Sequence, residues 1–178
     1  MEIVYQGGAS FWIKDTRNVL LNPAGAGEKG DIVLRSRRVA AKRQIVDGPG
    51  EYEIGGVLIV SVAVGPQEGQ SLIHAAEIDG INVLFVDAHV SPLNERTVAA
   101  VGRVDVLIVR ADDVRAAQEL AQDVGPRVVI PFGERAVELC AELGVKDATA
   151  SARFAWNGVA AVPRAVLLKS PAAKRKAA

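Results

Sequence analysis

The most informative segment of the sequence is Asp31-Ile-Val-Leu-Arg-Ser-Arg-Arg-Val-Ala-Ala-Lys42. It opens as a short apolar β-strand pattern and continues as a strongly basic segment. The glycine- and proline-rich segment Gly48-Pro-Gly-Glu-Tyr-Glu-Ile-Gly-Gly56 follows shortly afterwards, and such residues mark turns. A basic loop between strands is therefore expected here.

The first half of the chain consists of short runs of β-branched and apolar residues. These runs predict strands at Glu2–Gln6, Ser10–Lys14, Arg17–Leu21, Asp31–Arg35, Gln44–Val46, Tyr52–Val64 with a break at Gly55-Gly56, Ser71–Ile78 and Ile81–Val86. Between the last two strands, Asp79-Gly80 is a two-residue hairpin signal.

The second half of the chain alternates helical and strand patterns. Ser91-Pro92 predicts a helix start and a helix to about Val101. The later segments predict a strand at Val104–Val109, a helix at Asp113–Val124 before Gly125-Pro126, a strand at Arg127–Phe132, a helix at Glu134–Leu143, and strands at Ala152–Trp156 and Val159–Leu168. A β-rich half followed by this alternation predicts a layered α/β sandwich.

Composition limits the classes of protein to consider. The 178 residues are 49% hydrophobic, which predicts one domain over residues 1–169 with its own core. Residues 170–178, rich in Pro, Ala and Lys, predict a disordered basic tail. Acidic and basic residues balance at 21 each, so net charge favours neither a nucleic-acid nor a membrane partner. A single cysteine, Cys140, and no signal-peptide or transmembrane pattern predict a cytoplasmic protein.

The order of several motifs resembles the metallo-β-lactamase superfamily, in particular its small Zn-dependent hydrolase and ascorbate-phosphate lactonase-like branch. The matching segments are Gly7-Gly8-Ala9-Ser10-Phe11, Asn22-Pro23, the Asp31 to Lys42 stretch, Pro49 to Glu53, Glu77 to Ile81, Val104 to Ile108, and Ile130-Pro131-Phe132-Gly133. The resemblance implies a four-layered αββα sandwich of the α/β class, with the active site on loops at one edge of the sheets.

The resemblance also marks the positions where metal ligands would stand. The family's histidines and aspartate fall here on residues that do not bind zinc, namely Gly8, Arg37, Val39, Ala41, Lys42 and Gly133. A hydrolytic zinc site needs about three imidazole, thiolate or carboxylate ligands and an open position for water. The sequence therefore predicts no metal and no cofactor, although zinc is expected for the family.

Asp87 is the one carboxylate near a family ligand position. One interpretation is a strand-end carboxylate that caps a loop or pairs with a base. Another is a former ligand whose missing metal charge is supplied by Arg37, Arg38 or Lys42, because an unpaired buried carboxylate costs several kcal/mol. His89, two residues from Asp87, is the only other weak candidate for acid–base chemistry.

The basic segment carries five positive charges in nine residues, with no acid among them. These residues are Arg35, Arg37, Arg38, Lys42 and Arg43. They are candidate ligands for a small anion or a phosphorylated ligand; alternatively, they form a solvated loop or pair with Asp47, Glu51 and Glu53. No aromatic residue lies within the segment, which argues against nucleic acid. His74, inside a strand pattern, is expected to face solvent or bond a neighbouring strand.

The function predicted from these observations is a metal-free, non-catalytic binding or structural module, with an anion-binding basic loop at the vacated site. The alternative is a metal-dependent hydrolase that uses a non-standard site built from Asp87, His89 and a residue elsewhere. The sequence leaves open whether the protein is an enzyme, does not identify the ligand, and allows a homodimer through an exposed sheet edge.

Overall fold

The computed structural model of the chain describes residues 1–24, 30–37, 45–66, 70–88, 93–146, 148, 150–159, 161 and 164–169. The strands are β1 (Glu2–Gly7), β2 (Ser10–Lys14), β3 (Asn18–Leu21), β4 (Ile32–Leu34), β5 (Ile45–Val46), β6 (Gly50–Ile54), β7 (Val57–Val64), β8 (Ser71–Ile78), β9 (Ile81–Val86), β10 (Val106–Arg110), β11 (Val128–Phe132) and β12 (Arg153–Ala155). The helices are α1 (Glu95–Val101), α2 (Val114–Val124) and α3 (Ala136–Glu142).

The strands form two six-stranded mixed sheets. The first sheet has the order β12-β1-β2-β3-β4-β5, and the second has the order β11-β10-β9-β8-β7-β6. Strands β8 and β9 pair as an antiparallel hairpin, and Asp79 and Gly80 take positive φ angles of 49° and 76° at its turn, as the sequence predicts. Strands β9, β10 and β11 are parallel, so helices α1 and α2 serve as their crossover connections.

Two layers of apolar side chains hold the sandwich together. Phe11 and Leu34 of the first sheet and Phe85 and Ile108 of the second belong to the core between the sheets, and each is at most 1% exposed. The three helices contribute to a second core, on the other face of the second sheet. Each fully buried residue of this size contributes roughly 1.5–3 kcal/mol to folding.

Helix α2 shows how the sequence sets this outer layer. Its buried residues include Ala117, Leu120 and Ala121, a spacing that gives one apolar face. Asp113 caps its first turn through Ala116 N, and Gly125 ends it with a left-handed φ of 56°. The predicted helix and its glycine stop are thus confirmed, and so is the layered fold of two mixed sheets with flanking helices.

Two predicted boundaries are wrong. Helix α1 begins at Glu95 with Asn94 as its N-cap, because the Asn94 side chain accepts the N–H of Thr97 at 2.8 Å. Ser91-Pro92, where the start was predicted, lies outside the described residues. The predicted strand Val159–Leu168 is replaced, in its described part, by isolated bridges at Ala165 and Leu168.

The sequence also predicts a basic tail and no transmembrane segment. The predicted tail, residues 170–178, lies outside the described residues. Within the described part, no helix has the length and apolar character needed to cross a membrane.

Candidate functional site

Polar side chains gather at one edge of the sandwich, where strands of both sheets end. Asn22 directly follows β3, Asp87 directly follows β9, and Arg110 is the last residue of β10. In sheets with parallel strands, ligand sites form at the carboxyl ends of the strands. This edge is therefore the candidate ligand site of the fold.

The register of the parallel strands brings Asp87, Arg110 and Phe132 into one row. Val86 of β9 lies beside Val109 of β10, so Asp87 and Arg110 are the next neighbours along these strands. Arg110 in turn lies beside Phe132 of β11. Side chains in register across adjacent strands share a face, and this row continues the face that lines the core between the sheets.

Arg110 is held between two carboxylates. Its Nε and Nη2 atoms lie 2.7 Å and 2.5 Å from Asp87 Oδ1, and its Nη1 donates to Asp112 Oδ2 at 2.9 Å. The guanidinium carbon lies 5.2 Å from the centre of the Phe132 ring, a favourable cation–π distance. The Arg110 and Asp87 side chains are only 28% and 15% exposed, so this cluster is largely shielded from water.

The two partners respond to this burial in different ways. Burial raises the pKa of Asp87, against the opposing effects of the Arg110 hydrogen bond, the charges of Arg110 and Arg37, and the Asn22 amide. Burial alone would lower the pKa of Arg110, but the hydrogen bonds to Asp112 and Asp87, together with the charges of these two carboxylates, raise that pKa. Arg110 therefore stays charged, and the free energy of the cluster depends on Asp87 keeping its partner.

Asn22 joins the two sheets at this edge. Its Nδ2 donates to Asp87 Oδ2 at 2.7 Å and to Ser36 Oγ at 3.0 Å, and its Oδ1 accepts the N–H of Ser36 at 2.8 Å. Asn22 has a φ of 43°, in the left-handed region that asparagine tolerates better than most residues. An aspartate at this position would set a second carboxylate against Asp87, whereas the Asn22 amide donates a hydrogen bond to it.

Among the described residues, the cation that contacts Asp87 is not one of the three proposed from the sequence. Arg37 acts on Asp87 through its charge, while Arg38 and Lys42 lie outside the described residues. The contact comes instead from Arg110. The signal that could have found Arg110 is its place at the end of a predicted buried strand, since such strand ends meet in parallel sheets.

The predicted ligand positions are distributed as follows. Arg37 is exposed and Gly8 is exposed, and the Gly8 carbonyl accepts the Tyr5 hydroxyl at 2.9 Å. Gly133 has a φ of 101°, and a Cβ atom built there would collide with Asp112 Oδ1, which accepts the N–H of Glu134 at 2.9 Å. Val39, Ala41 and Lys42 lie outside the described residues, as do Arg38, Arg43 and His89.

The described part of the chain offers no group of three His, Cys, Asp or Glu residues that could hold a metal ion. Both oxygens of Asp87 are already used, Oδ1 by Arg110 and Oδ2 by Asn22. The residues that the structure places at this edge therefore do not fit a zinc site, which needs about three free ligands.

Aromatic rings line the base of the edge. Tyr5 stacks on Phe11 at 4.8 Å between ring centres, and Phe11 meets Phe132 edge-on at 5.2 Å. Burial raises the pKa of Tyr5, and the charge of Arg110 opposes that rise, so the Tyr5 hydroxyl lies within electrostatic range of the guanidinium. The cation thus sits against rings on one side and carboxylates on the other.

His74 is buried rather than exposed. It lies on β8 with 0% exposure, and its Nδ1 is 2.7 Å from Ser61 Oγ of β7, as expected for a residue that bonds a neighbouring strand. Burial lowers the pKa of His74 to about 4, and the Arg35 backbone opposes this only in part. His74 is therefore neutral at pH 7.

This histidine makes stability depend on pH. Between the unfolded pKa of 6.5 and the folded pKa of about 4, the unfolded chain binds the extra proton, so stability falls as the pH falls. The loss is about 3 kcal/mol over this range. Glutamine does not titrate, so we expect His74→Gln to lack this pH-dependent loss. From pH 7 to pH 4, the unfolding free energy of the wild type should therefore fall by about 3 kcal/mol relative to that of the variant. Urea unfolding at several pH values measures this; parallel curves would contradict it.

The two-sheet sandwich with helices on the second sheet, and with its polar site at the strand ends, defines the metallo-β-lactamase fold. The family model described as the β-lactamase superfamily domain matches residues 2–133. The chain therefore belongs to the β-lactamase superfamily domain family. A comparison with curated proteins found no match.

Solved structures share this fold. A candidate Zn-dependent hydrolase of the metallo-β-lactamase superfamily from Thermotoga maritima has a TM-score of 0.75 and 20% identity, covering 94% of this chain and 97% of its own. The metallo-β-lactamase fold protein YhfI from Bacillus subtilis has a TM-score of 0.58 and 9% identity, covering 94% and 96%. CmlA, a diiron β-hydroxylase from Streptomyces venezuelae, has a TM-score of 0.56 and 11% identity, covering 75% of this chain and 45% of its own. At these identities the likeness concerns the fold.

Proposed function

We propose that this chain is a metal-independent member of its superfamily, which binds a ligand or partner at the strand-end edge without hydrolysing it. The observation that carries the proposal is the Arg110 guanidinium between Asp87 and Asp112. Arg110 supplies the positive charge beside Asp87 that a metal ion supplies in a metallohydrolase. The family fold supports the edge as the place of binding.

A guanidinium ion can replace the charge of a metal but not its chemistry. Zinc activates a water molecule by lowering its pKa to about 7 and keeps a coordination position open for it. Arginine offers only N–H donors, stays protonated at every ordinary pH, and has no acceptor or empty orbital for water. An edge organised around Arg110 can therefore orient and bind a polar group, but it does not generate a hydroxide.

The geometry around Asp87 supports binding over the hydrolase alternative. To serve as a metal ligand, Asp87 would have to leave both Arg110 and Asn22, which hold its two oxygens at 2.7 Å. The freed guanidinium would then lie beside the incoming dication, and like charges repel. His89, the second residue of the alternative, lies outside the described residues.

Metal content tests the proposal directly. Purified protein is incubated with zinc or manganese, passed through gel filtration and measured by elemental analysis. We expect less than about a tenth of an equivalent, because a site without its ligands does not retain metal. A full equivalent retained by the wild type, and lost on Asp87→Asn, would overturn the proposal and support a hydrolase with a non-standard site. Asp123→Asn, on the exposed face of α2, is the control for nonspecific binding.

A further inference from the structure

We propose that the ligand at this edge is a small oxyanion, a carboxylate or phosphate group, held between Arg110 and Arg37. This inference rests on the proposed function, because it requires Arg110 to occupy the place beside Asp87. It adds the chemical class of the ligand and the residues that contact it.

The first support is the unused hydrogen-bonding capacity of Arg110. A guanidinium has five N–H donors. Arg110 uses two of them on Asp87 and one on Asp112. Within the described part of the chain, two donors are left without an acceptor. The side chain is still 28% exposed, so these donors are within reach of a ligand. Paired N–H groups of arginine match the two oxygens of a carboxylate or phosphate.

The second support is positive charge without a matching carboxylate. Arg37 is exposed and close enough to act on the pKa of Asp87, and it directly follows Ser36, which bonds Asn22 at this edge. No ion pair joins Arg35 or Arg37 to a carboxylate among the residues that the structure describes. Arg37 thus adds a positive charge at this edge that no described carboxylate pairs.

The third support is that the start of the basic segment is fixed in place. Ser36, between the two arginines, is held by Asn22 and by the Leu72 N–H, which donates to the Ser36 carbonyl at 2.8 Å. Arg35 N donates to Val46 O at 3.0 Å. A backbone held at Arg35 and Ser36 fixes the point from which the Arg37 side chain extends, and such preorganisation lowers the entropic cost of binding.

The site favours a small ligand over a nucleic-acid strand. The rings near Arg110 are packed against one another, with Tyr5, Phe11 and Phe132 stacked or edge-on, and so they offer no free face for bases. A single oxyanion needs only the arginine donors.

The test uses inorganic phosphate and acetate as probes, with ionic strength held constant by chloride because salt screens such contacts. Calorimetric or NMR titration of the full-length protein should show saturable binding of at least one probe. Arg37→Ala should weaken it about tenfold or more, the effect of losing one charge-assisted contact. Arg115→Ala, which removes an 88% exposed arginine, should leave it unchanged. Phosphate alone indicates a phosphorylated ligand, and acetate alone a carboxylate; either supports the proposal.

Three outcomes would overturn it: no saturable binding of either probe up to about 50 mM, equal weakening by both variants, or binding of a single-stranded oligonucleotide where both probes fail. Metal content of the same samples separates the two proposals. Protein that is free of metal and binds neither probe refutes only the oxyanion site. Protein that retains a full equivalent of metal refutes the proposed function itself.

Discussion

Replacing Arg110 with methionine should lower the free energy of unfolding by about 3 kcal/mol at pH 7. Methionine keeps the apolar contact with Phe132, which lies 5.2 Å from the guanidinium, but it leaves Asp87 charged, 15% exposed and without its cation. Breaking a buried ion pair by removing one partner typically costs 3–5 kcal/mol, and the residual exposure places this case at the lower end. Urea denaturation of wild type and variant measures the difference.

The origin of that loss can be checked through pH. Without Arg110, the pKa of Asp87, already raised by burial, rises further, so the folded variant takes up a proton more readily than the unfolded chain. The stability deficit should therefore shrink as the pH falls through that raised pKa. Asp87→Asn combined with Arg110→Met should recover most of the loss at pH 7. Arg115→Met, at an exposed pair, should change stability by less than about 0.5 kcal/mol. A deficit that is the same at every pH would contradict the electrostatic explanation.

Gly133→Ala should also destabilise the fold by about 3 kcal/mol. The residue has a φ of 101°, where a side chain is strained, and the new Cβ would collide with Asp112 Oδ1. Asp112 would have to move, which breaks its bond to Glu134 N and its contact with Arg110. Thermal and urea unfolding report the total effect.

Gly144→Ala is the matched control, because Gly144 has a similar φ of 85° with nothing within 4 Å of its added Cβ. It should lose only the backbone contribution, about 1 kcal/mol. In a double-mutant cycle, Asp112→Ala should reduce the cost of Gly133→Ala, since the collision is removed. Equal costs at the two glycines would show that Asp112 has no part in the effect.

The sequence predicted the fold well because local patterns and tertiary structure agree over most of the chain. The apolar run before Arg110, the Asp79-Gly80 turn and the Gly125 stop each have one strong local interpretation. The start of α1 has no single local interpretation, since asparagine and serine, found at positions 94 and 91, are both favourable N-cap residues. The segment Val159–Leu168 has the apolar character expected of a strand, but its described residues form only isolated bridges.

The site was less predictable because it depends on register rather than pattern. Asp87 and Arg110 are distant in sequence, and only the parallel pairing of β9 with β10 places them side by side. A strand pattern predicts that two strands exist, but it does not predict which of their residues are neighbours. The basic segment suggested Arg37, Arg38 and Lys42 as partners of Asp87, whereas the contact seen among the described residues comes from Arg110, at the end of an apolar strand.

Asn22 has a consequence for how the fold responds to its surroundings. By bonding Ser36, which follows β4 of the first sheet, and Asp87, which follows β9 of the second, it links the two sheets at their polar edge through side chains of the protein itself. A fold fastened there by a bound ion gains stability as the logarithm of the free ion concentration, and loses it to chelators. Hydrogen bonds among an amide, a carboxylate and a guanidinium of the same chain make no contribution to stability that depends on ion concentration. The stability of this edge should therefore not depend on the concentration of free metal ions around the protein.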